Sequence, residues 1–158
     1  MNAAVKWGVI LAVVIAALSV SIAVTGMHRS PIVGLVFVVV AIVINIAAVF
    51  MALRQTAGEN SYIKQLLGGL LIGVVAGILI FLSSWLMLSV VFPNYLAESR
   101  EGAIAFLESM NLPEDQLDVQ IEKLDDATPL NQAVSGLIGT FFTSLFAGAI
   151  IGIFQRRK

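Results

Sequence analysis

Between Lys64 and Glu98 the chain runs for thirty-three residues without a formal charge. The core of that run, Leu66 to Phe92, reads LLGGLLIGVVAGILIFLSSWLMLSVVF. About 20 apolar residues carry a helix across a bilayer. Only a helix or a closed barrel satisfies its own backbone there, because hydrocarbon offers no water to bond to. The run therefore predicts a membrane-spanning helix, with the rest of the chain packed around it. At 1.5 Å per residue it would be about 40 Å long. The hydrocarbon is only about 30 Å thick, so the helix must tilt, kink or project. The break at Pro93, Asn94 and Tyr95 favours projection at the Phe92 end.

Three other runs read the same way, giving spans at about 7–25, 31–53, 66–92 and 134–154. Of the 158 residues, 59% are hydrophobic and 12% charged, whereas soluble domains carry about 25% charged residues. Too little polar material remains to build a wet shell. The expected fold is all-α: one polytopic domain over 1–158, four transmembrane helices and a short amphipathic helical cap. The first run follows Lys6 and resembles a signal peptide. Its length of about 19 apolar residues exceeds the usual 7–15-residue core, so a retained span is expected.

The connections are short. Gly26 to Ser30 is a tight turn, and Pro31 suits the first turn of a helix, with Ser30 as N-cap. The first two helices should therefore be antiparallel neighbours. The lone histidine, His28, lies in this turn, where a solvated side chain is expected. Arg54 to Lys64 is a polar, turn-rich loop in which Ser61 can cap the third helix. Glu98 to Asp126 holds nine of the ten acids. Ile104, Leu107 and Met110 recur at helical spacing, and Leu117, Ile121 and Leu124 form a stripe on a second short helix opened by Pro113. This predicts two amphipathic helices covering the outer ends of the bundle. Thr128 and Pro129 read as N-cap and first position of the last helix.

Basic residues set the expected orientation. One side has Lys6, Arg54, Lys64, Arg156, Arg157 and Lys158; the other has Arg29, Arg100 and Lys123. The positive-inside bias puts both termini in the cytoplasm and the acidic loop outside.

In lipid, small residues let helix backbones approach closely. The third helix offers Gly69, Gly73 and Gly77; the fourth offers Gly136, Thr140, Ser144, Gly148 and Gly152. Steps of four drift by about 40° each on a helix of 3.6 residues per turn, so one straight partner cannot follow the whole second row. Part of it should face another helix or another subunit, and Gly148 with Gly152 is the candidate seam for a homo-oligomer. The alternative is that both rows pack inside one bundle. Asn45, alone in its span, should hydrogen-bond to a neighbouring helix.

Chemistry-bearing motifs are missing. With no cysteine and one histidine, zinc and thiolate sites are excluded. There is no nucleotide loop, nucleophile elbow or calcium-loop spacing. No ionisable group lies within the spans, which argues against an ion-coupled transporter. No continuous basic face suggests nucleic acid, and Glu122 beside Asp125 and Asp126 reads as a solvated face. A non-enzymatic membrane protein without a cofactor is expected: a scaffold, accessory or regulatory subunit in contact with lipid and with a second copy or another membrane protein. Two alternatives stand beside it. One is a small-solute or ion facilitator lined by Asn45, Ser83, Ser84, Thr140 and Ser144. The other is an interfacial lipid-processing enzyme using Glu98 or Glu101.

Four features carry a family resemblance: Ser61 to Gly69, the run Phe92-Pro93-Asn94-Tyr95, the acidic stretch Glu108 to Asp115, and Gly136 with the Arg156-Arg157-Lys158 tail. With them the chain resembles a bacterial membrane family catalogued as domain of unknown function 4199. The resemblance implies four spans in the inner membrane, with the termini together. It implies no substrate, cofactor or catalytic residue.

Overall fold

A computed structural model describes residues 2–156. They form six α-helices: α1 (Ala3–Val24), α2 (Pro31–Arg54), α3 (Tyr62–Leu86), α4 (Tyr95–Ser109), α5 (Glu114–Asp125) and α6 (Pro129–Gln155). A 3-10 turn, Met27–Arg29, joins α1 to α2, and a π turn, Met87–Val91, extends α3. The α1, α2 and α6 helices, and α3 with its π turn, are long and apolar enough to cross a membrane.

Local chemistry sets several of these bounds. The α1 helix starts before Trp7 because the Asn2 side chain accepts from the Ala4 N–H at 3.1 Å, satisfying an orphan donor of the first turn. Gly26, at φ +70°, ends α1 by turning the chain into the 3-10 segment. Pro31 and Pro129 open α2 and α6, and the Thr128 hydroxyl accepts from the Asn131 N–H. Ser30 and Ser61 stand at N-cap positions but make no side-chain capping bond. At the far end of α3 the Phe92 N–H donates to the Met87 carbonyl at 2.7 Å. That widened turn ends the helix before Pro93, whose ring lacks the N–H to continue it.

The four long helices form a ring in the order α1, α2, α6, α3. The α3–α6 contact is the most extensive, followed by α1–α3. The α2 and α3 helices, although consecutive, stand diagonally across the ring and touch little. The third span is the most extensively packed of the four, on α6 and α1 and only lightly on α2. Leu11, Val49, Ile72 and Ala76 fill the centre. Val36, Val39, Val43, Ile46 and Phe50 of α2 point outward, as lipid-facing positions should.

The cap differs from expectation. No residue of α4 or α5 is fully buried. The α4 helix lies on the 3-10 turn and α2, whereas α5 makes its most extensive contact with α4. The Leu117, Ile121 and Leu124 stripe is half-buried, and Arg100 pairs with Asp125 at 2.6 Å. The α5 helix makes no extensive contact with the four long helices, so it does not cover the bundle.

Candidate functional site

The polar side chains of the spans gather at three levels. At the termini end, Gln65 in the first turn of α3 is fully buried. Its amide nitrogen donates to the Thr56 carbonyl at 3.1 Å and the Gln155 carbonyl at 3.2 Å. Its amide oxygen accepts from the Thr56 hydroxyl at 3.2 Å. The Gly58 N–H, on a backbone at φ +77°, also donates to the Gln155 carbonyl. Carbonyls at helix C-termini have no partner within the helix. One side chain of α3 thus serves the ends of both α2 and α6. Sequence reasoning missed Gln65; the available signal was a lone amide opening an uncharged run.

At mid-depth, Asn45 is buried and joins α2 to α6. Its nitrogen donates to the Thr140 carbonyl at 3.2 Å, and its oxygen accepts from the Ser144 hydroxyl at 2.8 Å. The glycine rows lie beside this link. A Cβ on Gly69 would sit 2.7 Å from the Gly148 Cα, and one on Gly73 would sit 2.9 Å from the Ser144 Cβ. A Cβ on Gly77 would meet the Leu137 carbonyl at 3.4 Å, and one on Gly152 would meet the Gln65 Cβ at 3.2 Å. Gly136 faces Ile80, also on α3. From the C-terminal end, α3 therefore touches Gly152, Gly148 and Ser144, then passes through Phe141 and Leu137. Substituting a step of three for one step of four takes up the drift, and a single partner follows α6 along its length. Gly148 and Gly152 are buried against α3 of the same chain. They are therefore not a homo-oligomer seam.

At the cap end, α2 and α6 stand apart around a cavity of about 350 Å³. Leu11, Ile15, Phe37, Ala41 and Ile80 supply an apolar wall; Ser84, Gln132, Ser135, Thr140 and Thr143 supply a polar one. Asn45 lies at its floor, and His28 and Tyr95 also line it. The expectation of a solvated His28 is wrong. Its side chain is only 6% exposed and stacks on the Tyr95 ring at 4.3 Å. The cause is the fold-back of α4 over the 3-10 turn. Gly102 permits that approach, since a Cβ there would overlap the Arg29 carbonyl.

Glu98 Oε2 lies 2.9 Å from His28 Nε2 and accepts from Arg29 Nη2 at 3.1 Å. Hydrogen bonds from Arg29, then His28, hold the Glu98 carboxyl below the usual carboxylate range. Burial pushes the Tyr95 phenol upward. An ionised carboxylate only accepts, so His28 Nε2 carries the hydrogen. His28 Nδ1 is buried without a hydrogen-bond partner. Histidine oriented by a carboxylate is half of a nucleophilic triad, but no serine or threonine hydroxyl bonds to Nδ1. Glu101 is exposed on α4.

The residues weighed as a pore lining are divided. The Ser83 hydroxyl returns to the Ile80 carbonyl at 3.1 Å, Asn45 and Ser144 bond to each other, and Ser84 and Thr140 line the cavity. A second cavity of about 210 Å³ lies at the termini end, bordered by Asn60, Lys64 and Gln65. The two share no lining residue, and the buried layer of Val49, Ile72 and Ala76 lies between them. Among the described residues no group of three or more His, Cys, Asp or Glu could hold a metal ion.

No curated protein and no solved structure matches the chain significantly. A family model described as "Protein of unknown function (DUF4199)" matches residues 6–157. With four long apolar helices and nearly its whole length inside that match, the chain belongs to the DUF4199 family of bacterial membrane proteins.

Proposed function

We propose that the chain is a non-enzymatic integral protein of the bacterial inner membrane that acts by association, as a scaffold, accessory or regulatory subunit. The observation that carries this reading is the use made of its intramembrane polar groups. Asn45, Ser144, Gln65 and Thr56 bond to one another or to backbone carbonyls, so they fasten helices instead of presenting a reacting geometry. The α5 helix adds an acidic face, with Asp118 and Glu122 exposed. The surplus of basic residues at the end holding Lys6, Arg54, Lys64 and Arg156 favours that end in the cytoplasm and α4–α5 outside. A reporter after Lys158 that works only outside the cytoplasm would reverse the orientation.

The test of association is native mass spectrometry of the protein released gently from its own membranes. A stoichiometric complex, with itself or with another membrane protein, is the expected result. A bare monomer retained at every detergent concentration overturns the reading. If the complex is homomeric, its interface excludes Gly148 and Gly152, which α3 already covers.

A further inference from the structure

The cap-end cavity is open on one side. Val38 and Ile42 of α2, and Ser135 and Gly139 of α6, line it while remaining exposed. Added Cβ atoms on Gly34 or Gly139 would meet nothing within 4 Å. The opening is therefore lateral, between α2 and α6, and it closes toward mid-depth where Asn45 bonds to Thr140 and Ser144. These positions belong to spanning helices, so the gap faces lipid and not bulk water.

The lining defines what fits. An apolar wall opposes a row of hydroxyls and amides. Among the described residues no Asp, Glu, Lys or Arg lines the cavity. An anionic or a cationic head would find no counter-charge there. Burying an uncompensated charge costs far more than burying a hydroxyl. In the neutral ring, His28 Nδ1 is an acceptor, and it is buried without a partner. An O–H or N–H donor in the cavity that His28 lines would satisfy it. A volume of about 350 Å³ is near the lower end for ligand pockets. It suits a small head with the first part of one chain.

We propose that this cavity binds an uncharged, hydroxyl-bearing, single-chain amphiphile taken laterally from the membrane. Its head donates to His28 Nδ1 and bonds to the polar wall of α6, and its chain leaves between Gly34 and Gly139. The proposal is independent of whether the protein is an accessory subunit.

The probe is 1-monooleoylglycerol carrying a photoreactive diazirine in its acyl chain, added to the full chain in nanodiscs. Labelling is expected in the peptides around Gly34–Asn45 and Gln132–Thr143. Excess unlabelled 1-monooleoylglycerol should displace it; equal oleate or lysophosphatidylcholine should not. Gly139→Leu fills the exit where the backbone leaves open space, and should weaken labelling about tenfold or more at unchanged melting temperature. His28→Phe keeps a ring against Tyr95 and removes the acceptor. It should weaken labelling roughly 2- to 10-fold, the equivalent of one hydrogen bond. Label spread evenly over lipid-facing residues and indifferent to Gly139→Leu overturns the site. Displacement by oleate as effective as by 1-monooleoylglycerol overturns the uncharged head.

Discussion

Gln65 shows how much one side chain can hold in a membrane bundle. It is fully buried, and its amide serves the Thr56 and Gln155 carbonyls together. Gln65→Leu keeps the volume but removes the hydrogen bonds that join α3 to Thr56 and Gln155. The expected loss is about 1–3 kcal/mol, read as a lower midpoint in denaturant titration of the detergent-solubilised protein. Glu98 acts at the other end. Its pKa is depressed in the folded chain by Arg29 and His28. The stability it contributes is therefore present above the ordinary carboxylate pKa and is lost as pH falls through the lowered one. As pH falls below the ordinary carboxylate range, amide hydrogen exchange in α4 should accelerate relative to α3; protection of α4 that stays equal at pH 7 and at full carboxylate protonation would contradict the link. Neither residue's partners could be read from the sequence. Gln65 bonds across ninety positions to Gln155, and His28 across seventy to Glu98. Local composition predicts only a solvated loop for the histidine.

Among the elements, α3 and α6 form the axis of the molecule. Their small residues meet in antiparallel register, Gly69 on Gly148 and Gly73 on Ser144. At Gly69 the neighbour is backbone, which cannot turn aside as a flexible side chain can. Gly69→Ala should therefore cost about 1–3 kcal/mol, the range for overpacking, and lower the melting temperature in mild detergent. Gly139→Ala on the open face of α6 should change it little. Equal melting of the two would refute the close contact. The bounds of α2 and the start of α6 at Pro129 were legible because proline and uncharged runs are local signals, whereas α1 begins at Ala3, ahead of the expected Trp7. Which face of α6 meets which partner was not. A row at strict fours drifts by about 160° over sixteen residues, and the sequence does not reveal that the seam moves to Phe141 and Leu137. The π turn at Met87–Val91 was equally hidden, since a wider turn leaves no composition mark before Pro93.

The whole molecule is fastened unevenly. The termini end is tied by Gln65 and the mid-depth layer by Asn45, whereas the cap end is hollow, with His28 and Tyr95 at its roof. The four-span architecture followed from composition alone. The cavity did not, because it depends on how α2 and α6, distant in sequence, are placed beside one another. That arrangement also dictates an order of events. Chains are made from the N-terminus, and α6 is the last helix of the described chain. It supplies both partners of Asn45, the far carbonyl held by Gln65 and the backbone that covers Gly69. Until it enters the bilayer, α2 carries an unpaired amide into hydrocarbon, and α3 displays a bare groove of glycines. The cell must hold the first three spans together, in whatever machinery inserts them, until the fourth arrives to complete every one of those bonds at once.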